Sequence, residues 1–240
     1  MENNAPAFEI IHMSPENTNS ILISSGDDAV IIDAWGRAAA WEQLLRERNL
    51  TLRGIYSTHG HPDHISAAPD LSAGHGAPWY LNSADWNLVG WGNELLEYFG
   101  IPPITGDAAA PTDLTPGEYE ILDGIKMHAI ATPGHSGGGM AFWFPDFNIL
   151  ATGDTLFRDG VGRYDFPGGD MGALRDSITR IFNMNLPDET YVVHGHGMDS
   201  TIESLKKTNQ YFNDGHAYCG ACHDDDATHK CCHCGHCHKE

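Results

Sequence analysis

Runs of apolar residues divide most of the chain into short strands and helices. "FEIIHM", "SILISS" and "AVIIDAW" have the composition of strands, and a "GDD" turn joins the last two. "AAAWEQLLRERNL" predicts a helix because Trp41, Leu44 and Leu45 have helical spacing. "RGIYST" follows as a short buried strand. The next helix is predicted to begin at Pro62, since proline is tolerated in a first turn, and to continue through "HISAAPDL", with Pro69 limiting it.

A strand, a helix and two hairpins are predicted next. "APWYLN" is the strand, "SADWNLVGWGNELLEYFG" is a helix that ends at Gly100, and "IPPITGDAAAPTDLTPG" is a loop. The aromatic residues of this helix are predicted to form its core, with a substrate wall as the alternative: Trp86, Trp91, Tyr98 and Phe99. "EYEIL" and "IKMHAIATP" flank "DG" and form the first hairpin, and "GMAFWFP" and "NILATGD" form the second.

The last third of the pattern completes a layered arrangement. "MGALRDSITRIFNM" predicts a helix, "ETYVVHG" a strand and "DSTIESLKKTNQYF" a final helix. Paired strands with interspersed helices indicate a layered α/β fold, with two mixed sheets packed together and helices outside. From Asn213 the chain has no strand or helix periodicity and is rich in Cys, His, Asp and Gly. We therefore predict one domain over residues 1–212 and a separate tail over residues 213–240.

The excess of acidic residues in the composition limits the kinds of binding partner that we expect. The 240 residues are enough to bury a core, and 33 acidic against 13 basic residues give a formal charge of −20. This balance argues against nucleic acid or an anionic membrane as a partner. The start "MENNAPAFEI" lacks the features of a secretory signal, and no apolar run reaches the length of a membrane span. We expect a cytoplasmic protein that acts on a small molecule, and its oligomeric state stays open.

Metal-binding side chains are concentrated in the stretch "STHGHPDHISA", where His59, His61, Asp63 and His64 fall within six positions. Alternation places His59 and His61 on the same side of an extended segment. The turn into the predicted helix lets Asp63 and His64 face a neighbouring position. This arrangement suits two adjacent metals better than one.

Three more candidate ligands follow apolar strands: His135 in "ATPGHSGGG", Asp154 in "LATGDTLF" and His196 in "VVHGHGMD". Loops at strand ends commonly present functional side chains, and imidazole and carboxylate suit zinc, iron or manganese. A bridging carboxylate such as Asp154 would hold two metals roughly 3.5–4 Å apart. His194 is predicted to be a surface or supporting residue instead of a ligand.

The ordered motifs "THGHPDH", "TPGHS", "TGDTLF" and "HGHG" resemble the metallo-β-lactamase superfamily, and most of all its glyoxalase II (hydroxyacylglutathione hydrolase)-like branch. "GRYDFPGGDMGALRDSI" and "STIESLKKTN" also resemble that branch. The resemblance implies a four-layer αββα sandwich with two divalent ions, zinc foremost, at one edge of its sheets. It implies His59, His61 and His135 as ligands of one metal, Asp63, His64 and His196 as ligands of the other, and Asp154 as the bridge.

The same resemblance implies a hydrolase in which a metal-bound hydroxide attacks a thioester or a related small ester, with Asp63 passing a proton to the leaving group. Lactamases of the superfamily generally lack the bridging aspartate, so Asp154 favours the hydrolase branch. Arg163 and Tyr164 are similar in position to glutathione-contacting residues of glyoxalase II, and are predicted to contact substrate or to pack within their loop. The resemblance ends at Phe212, before the helical domain that completes the glutathione site of that enzyme.

Two alternatives stay open from the sequence. One is a mononuclear iron persulfide dioxygenase, whose family has a stretch similar to "GRYDF". The other is a metal-handling protein that acts through the tail, where all six cysteines lie. Cys219 and Cys222 form one C-x-x-C pair and Cys234 and Cys237 another, which suits an additional zinc site. A thiol-rich, metal-scavenging segment without an ordered site is the simpler interpretation.

Overall fold

Twelve strands form two six-stranded sheets within residues 5–13, 18–105 and 109–213, which are the residues that the computed structural model describes. Across the first sheet the order is β1 (Ala7–Met13), β2 (Thr18–Ser25), β3 (Asp28–Ile32), β4 (Thr51–Tyr56), β5 (Trp79–Leu81) and β6 (Thr112–Asp113). Across the second it is β12 (Ser200–Thr201), β11 (Tyr191–His194), β10 (Ile149–Gly153), β9 (Met140–Phe144), β8 (Ile125–Ala131) and β7 (Gly117–Leu122). Both sheets are mixed, since β3 to β6 run parallel, as do β10 and β11, and the other pairs are antiparallel.

The helices lie between these strands along the chain. Within the described ranges they are α1 (Ala38–Glu47), α2 (Pro62–Ile65), α3 (Ala68–His75), α4 (Asn93–Tyr98), α5 (Met171–Asn183), α6 (Ile202–Thr208) and α7 (Gln210–Asn213). Short 3-10 helices lie at Ser83–Leu88 and Pro145–Phe147. Among the residues described, no helix has the length and apolar character needed to cross a bilayer.

The alternation of side chains along β3 shows how the layers form. Ala29 and Ile31 belong to the apolar cluster that joins the first sheet to α1 and α3. Val30 and Ile32, on the opposite face, belong to the cluster between the two sheets. A strand that is apolar on both faces is buried on both faces.

A third apolar cluster joins the second sheet to its helices. Asp170 caps α5 by accepting a hydrogen bond from the Ala173 backbone N–H at 2.7 Å. Leu174 and Ile178, one helical turn apart, pack in the same cluster as Leu150 of β10. Three apolar layers therefore separate helices, sheet, sheet and helices, and the predicted αββα sandwich is confirmed.

The helix predicted through "HISAAPDL" is two helices, so the role predicted for Pro69 was wrong. Pro69 lies in the first turn of α3, where the missing N–H costs nothing. The Ser66 hydroxyl accepts from the Gly36 N–H at 2.9 Å and donates to the Gly36 carbonyl at 3.0 Å. This pairing with a distant loop fixes the break between α2 and α3.

Two more predicted helices are interrupted for local reasons. Gly90 and Gly92 have φ of 84° and 75°, a left-handed backbone that separates the 3-10 helix Ser83–Leu88 from α4. Asn209 separates α6 from α7, because its side-chain N–H groups donate to the carbonyls of Phe157 at 2.8 Å and Gly160 at 2.9 Å. The chain direction therefore changes at both points.

The aromatic residues predicted to form a helix core have different surroundings. Phe99 packs against the cluster beneath α1. Trp86, Trp91 and Tyr98 are 45%, 36% and 81% exposed, so the core prediction was wrong for these three. The helix break at the two glycines gives each segment its own orientation, and a single apolar stripe cannot form.

The tail predictions fall outside the described residues. Residues 214–240 contain the whole Cys/His-rich segment, including the candidate ligands Cys219, Cys222, Cys234 and Cys237. Their assignment to an additional metal site, and the boundary that separates them from residues 1–212, stay predictions.

Candidate metal centre

The seven predicted ligands come together where loops from both sheets meet. His59 and His61 follow β4, and Asp63 and His64 lie on the short helix α2. The remaining three follow strands of the second sheet: His135 after β8, Asp154 after β10 and His196 after β11. Each loop is anchored by a buried strand, so residues that are far apart in sequence are held in one place.

The first trio consists of His59, His61 and His135. One ring nitrogen from each lies within 4.8 Å of the others, and all three residues are buried. The closest approach, 2.8 Å, joins His135 Nε2 to His61 Nδ1. Three nitrogens thus converge on one small volume.

The second trio consists of Asp63, His64 and His196. His196 Nε2 lies 3.1 Å from Asp63 Oδ2 and 3.3 Å from His64 Nε2. The side chains of His196 and Asp63 are 27% and 16% exposed, whereas that of His64 is fully buried. This trio is therefore the one that solvent reaches more easily.

Asp154 lies between the two trios. Its Oδ1 is 3.4 Å from His64 Nε2, and its Oδ2 is 3.5 Å from both His135 Nε2 and His196 Nε2. One carboxylate therefore contacts ligand atoms of both trios, as a bridging ligand must.

Hydrogen bonds outside the trios determine which ring nitrogens face inward. His64 Nδ1 lies 2.9 Å from Asp33 Oδ2, so it carries the proton that Asp33 accepts. Thr58 Oγ1 donates to the same carboxylate at 2.8 Å and accepts from His59 Nδ1 at 3.1 Å. The Nε2 atoms of His59 and His64 are consequently the nitrogens through which these rings can bind a metal. Asp33 was missed from the sequence, although it ends the apolar strand in "IIDAW".

The third histidine of the first trio is oriented by backbone. His135 Nδ1 donates to the carbonyl of Arg163 at 2.6 Å, which leaves Nε2 unprotonated and directed at His61. Arg163 thus supports the centre through its main chain, which the sequence did not suggest.

Divalent metals fit this arrangement. His59 Nε2 and Asp154 Oδ1 are buried and have no hydrogen-bond partner within the described part of the chain. Orphaned buried polar atoms are rare unless something else pairs with them. Tetrahedral zinc with bonds of about 2.0–2.1 Å places its ligand atoms roughly 3.3 Å apart. The observed separations of 2.8–3.8 Å lie around that distance.

The two trios differ in electrostatics. Burial lowers the pKa of His61 to about 4 and, with the neighbouring histidines, lowers that of His59 well below its usual value. Burial also opposes protonation of His64, but the carboxylates of Asp33, Asp154 and Asp63 raise its pKa well above the usual value. His59 and His61 are therefore neutral at pH 7, whereas His64 holds its proton when metal is absent.

The family profile decides the class of the protein. The profile of the metallo-beta-lactamase superfamily matches residues 13–196. The chain belongs to the metallo-β-lactamase superfamily. This is a superfamily of metal-dependent hydrolases that bind divalent metals, which agrees with the convergence of seven histidine and aspartate side chains.

Individual relatives within the superfamily have different names. Hydroxyacylglutathione hydrolase GloC of Haemophilus influenzae is 36% identical over 211 residues, which cover 86% of this chain and 98% of that protein. The BLEG-1 B3 metallo-β-lactamase is 30% identical with a TM-score of 0.76, over 86% of this chain and 99% of that one. TTHA1623 in a di-iron-bound form is 30% identical with a TM-score of 0.74, and the match covers 85% of this chain and 99% of that one.

The protonation of this metallo-β-lactamase centre gives a testable expectation. Burial opposes protonation of His196, but its hydrogen bond to Asp63 and the charge of Asp154 raise its pKa, as for His64. Metal binds neutral imidazole, so these residues must lose protons, whereas His59 and His61 have none to lose. Zinc added to metal-free protein at pH 7 should therefore release protons, and its apparent affinity should fall as the pH falls. Calorimetry in buffers of different ionisation enthalpy measures this release, and zero protons per zinc would contradict it.

Asp85 is a second residue that the sequence did not single out. Its carboxylate is fully buried and accepts from the Gly60 N–H at 3.0 Å, the Ser136 hydroxyl at 2.6 Å and the Gly138 N–H at 2.6 Å. Gly60 precedes His61, and a Cβ there would lie 2.8 Å from the Asp85 carbonyl oxygen. Asp85 therefore joins the loops that carry His61 and His135.

Replacement of Asp85 by asparagine should weaken the first trio. An amide puts N–H donors where the carboxylate accepts three hydrogen bonds, and changes of this kind around ligands typically lower metal affinity about 10- to 100-fold. Zinc titration with a competing chelator measures the effect. Asp113→Asn is the matched control, because exposed Asp113 accepts from the Ser83 N–H at 2.7 Å in the adjacent segment. Equal affinities in the two variants would contradict the supporting role of Asp85.

The remaining predicted residues have clear positions. His194 is buried and does not lie on the surface. Its Nδ1 lies 2.6 Å from the Leu156 carbonyl oxygen, and its Nε2 lies 2.8 Å from Ser200 Oγ. His194 therefore supports the end of β11 and belongs to neither trio. Arg163 makes a two-point ion pair with Asp165 at 2.9 and 2.8 Å. Tyr164 is 47% exposed. The structure thus places Arg163 beside the centre with its charge already partnered.

Proposed function

We propose that the protein is a dinuclear metal-dependent hydrolase that cleaves a thioester or a related small ester. The position of Asp154 carries this proposal, since its two oxygens lie within 3.5 Å of ligand atoms in both trios. Two divalent cations bound by these residues would supply Lewis-acid chemistry for a carbonyl substrate and would lower the pKa of a bound water. The nitrogen and oxygen donors suit zinc, iron or manganese, and we expect zinc.

The residues of the centre would have separate roles in metal binding and proton transfer. The first trio and Asp154 would hold one metal, and the second trio and Asp154 the other. Burial raises the pKa of Asp63, but His64 and the hydrogen bond to His196 outweigh it and hold that pKa below its usual value. Asp63 is thus an ionised carboxylate at the more open trio, where it can accept a proton and pass it to the leaving group.

Thioester chemistry is supported by the name of one relative, GloC, which is a hydroxyacylglutathione hydrolase. Arg163 and Tyr164 are exposed beside the centre and remain our candidates for contact with the substrate. The ion pair with Asp165 leaves the Arg163 guanidinium less available to a substrate carboxylate. We therefore propose a small thioester as substrate without assigning glutathione as its thiol.

Metal analysis and a substrate panel test the function together. Purified protein should contain about two metals per chain at the centre and should hydrolyse S-lactoylglutathione or simpler thioesters faster than a chromogenic cephalosporin. Oxygen uptake with glutathione persulfide and one iron per chain would instead establish a dioxygenase. Replacement of the four C-x-x-C cysteines by serine should leave thioester hydrolysis unchanged. Loss of hydrolysis in that variant would favour a function that depends on the tail.

A further inference from the structure

Two aromatic rings from separate loops form a wall against the first trio. Trp91 lies between the 3-10 helix Ser83–Leu88 and α4, and Phe166 follows Asp165 in the loop before α5. The Trp91 and Phe166 ring centroids are 5.4 Å apart, and they lie 5.4 and 5.5 Å from the centroid of His61. His61 itself is only 4% exposed. We call Trp91 and Phe166 the aromatic wall.

The wall presents apolar surface to solvent at a polar centre. Trp91 remains 36% exposed, although an indole gains free energy when its apolar surface leaves water. Its neighbours Gly90 and Gly92 have the left-handed backbone that turns this single residue away from the helix on each side. Large aromatic side chains that stay partly exposed beside a polar site are suited to contact with an apolar part of a ligand.

The positive charge of Arg163, which lies next to the aromatic wall, is offset by an ion pair. The Arg163 guanidinium lies 4.1 Å from the centroid of Phe166 and makes its two-point ion pair with Asp165. This packing holds Phe166 in place, and it leaves little positive charge for a carboxylate that approaches the wall. The wall therefore suits an uncharged apolar group.

We propose that the aromatic wall binds the acyl side chain of the substrate and gives the enzyme a preference for aromatic or bulky apolar acyl groups. This inference rests on the proposed function. A carbonyl attacked at the first trio lies beside His61, so the group attached to it lies beside the two rings that contact His61. In a thioester of a charged thiol, the acyl group is the part that can lack charge. A thiol such as glutathione carries carboxylates, which the wall does not attract.

A panel of thioesters that share one uncharged thiol, N-acetylcysteamine, tests the acyl preference. The lactoyl thioester carries a methyl group where the mandeloyl thioester carries a phenyl ring. The wild-type protein should have the lower KM for the mandeloyl compound. Trp91→Ala should raise that KM about 10- to 30-fold, which corresponds to the loss of contact with one ring, and should raise the lactoyl KM less than about threefold. Trp91→Phe and Phe166→Leu should have intermediate effects.

Binding without turnover provides a separate readout. Phenylacetate and acetate, the acids released from phenylacetyl and acetyl thioesters, can be compared by calorimetry. Phenylacetate should bind the wild-type protein at least about tenfold more tightly than acetate does, and Trp91→Ala should remove this difference. Trp86→Ala is the control, because Trp86 belongs to the same segment, is 45% exposed and donates to the Leu81 carbonyl at 3.0 Å. Metal content measured in every variant shows whether His61 still binds.

The outcomes separate this inference from the proposed function. If no thioester is hydrolysed, the proposed function fails, and the acid-binding comparison still tests the wall. If thioesters are hydrolysed but Trp91→Ala changes the lactoyl and mandeloyl KM values equally, the proposed function is supported and the role of the aromatic wall in acyl binding is rejected. A rate that depends on the thiol and not on the acyl group would also overturn the inference.

Discussion

Asp154→Asn protein should lose the proposed thioester hydrolysis by on the order of a thousandfold or more, because the proposal makes this residue a ligand of both metals in one catalytic unit. Burial raises the pKa of Asp154, but His64 and the other histidines around it hold that pKa well below its usual value, so the native residue is a full negative charge. The amide removes this charge and one of the two ligand oxygens. Steady-state rates measured together with metal content should show fewer than two metals per chain.

A neighbouring substitution controls for general damage to the loop. Asp159→Asn changes an exposed carboxylate five residues further along, which pairs with Arg158 at 2.9 Å. This control should keep both its metals and its activity. Full activity in Asp154→Asn would exclude the bridging assignment, and equal losses in the two variants would attribute the effect to the loop.

Removal of metal should have the second largest effect, on stability as well as activity. Asp63 and Asp154 lie together with five histidines at the centre, and a metal bound to these side chains in the folded state would stabilise that state. A ligand present at 1,000 times its Kd stabilises the folded state by about 4 kcal/mol, which corresponds to roughly 10 °C in Tm for a domain of this size. Thermal unfolding before and after dialysis against a chelator should show a fall of that order, with loss of hydrolysis.

Restoration tests the reversibility of this effect. Zinc added back to the chelated protein should recover both the Tm and the activity. Asp154→Asn protein should show a smaller change in Tm on chelation, since it binds less metal at the start. An unchanged Tm together with undiminished activity after verified metal removal would contradict the metal-dependent mechanism.

Local sequence spacing was enough to find the candidate ligands. "THGHPDH" places four of them in one turn, and His135, Asp154 and His196 each follow a recognisable apolar strand. These signals are short-range, because strand alternation and the end of a buried strand are visible within a few residues. The same kind of signal correctly predicted the two mixed sheets and the order of the layers.

Residues that act through distant partners could not be found this way. Asp33 and Asp85 resemble ordinary aspartates in sequence, and their roles depend on donors 25 to 53 positions away. The breaks at Ser66 and Asn209 depend on backbone groups of Gly36 and Phe157, which local propensity does not include. Burial of a hydrogen-bonded polar group is decided only when the segments meet.

The sequence by itself determined the superfamily motifs, the layered fold and the seven side chains that can hold metal. The resemblance also implied Asp154 as the bridge, and its oxygens do lie near ligand atoms of both trios. Tertiary structure alone decided that Asp33 and Asp85 support the trios and that Trp91 faces His61 instead of a helix core. The physical reason is distance along the chain. Ligand type and strand period are properties of neighbouring residues, whereas a supporting hydrogen bond and an aromatic wall each require segments that only folding brings together.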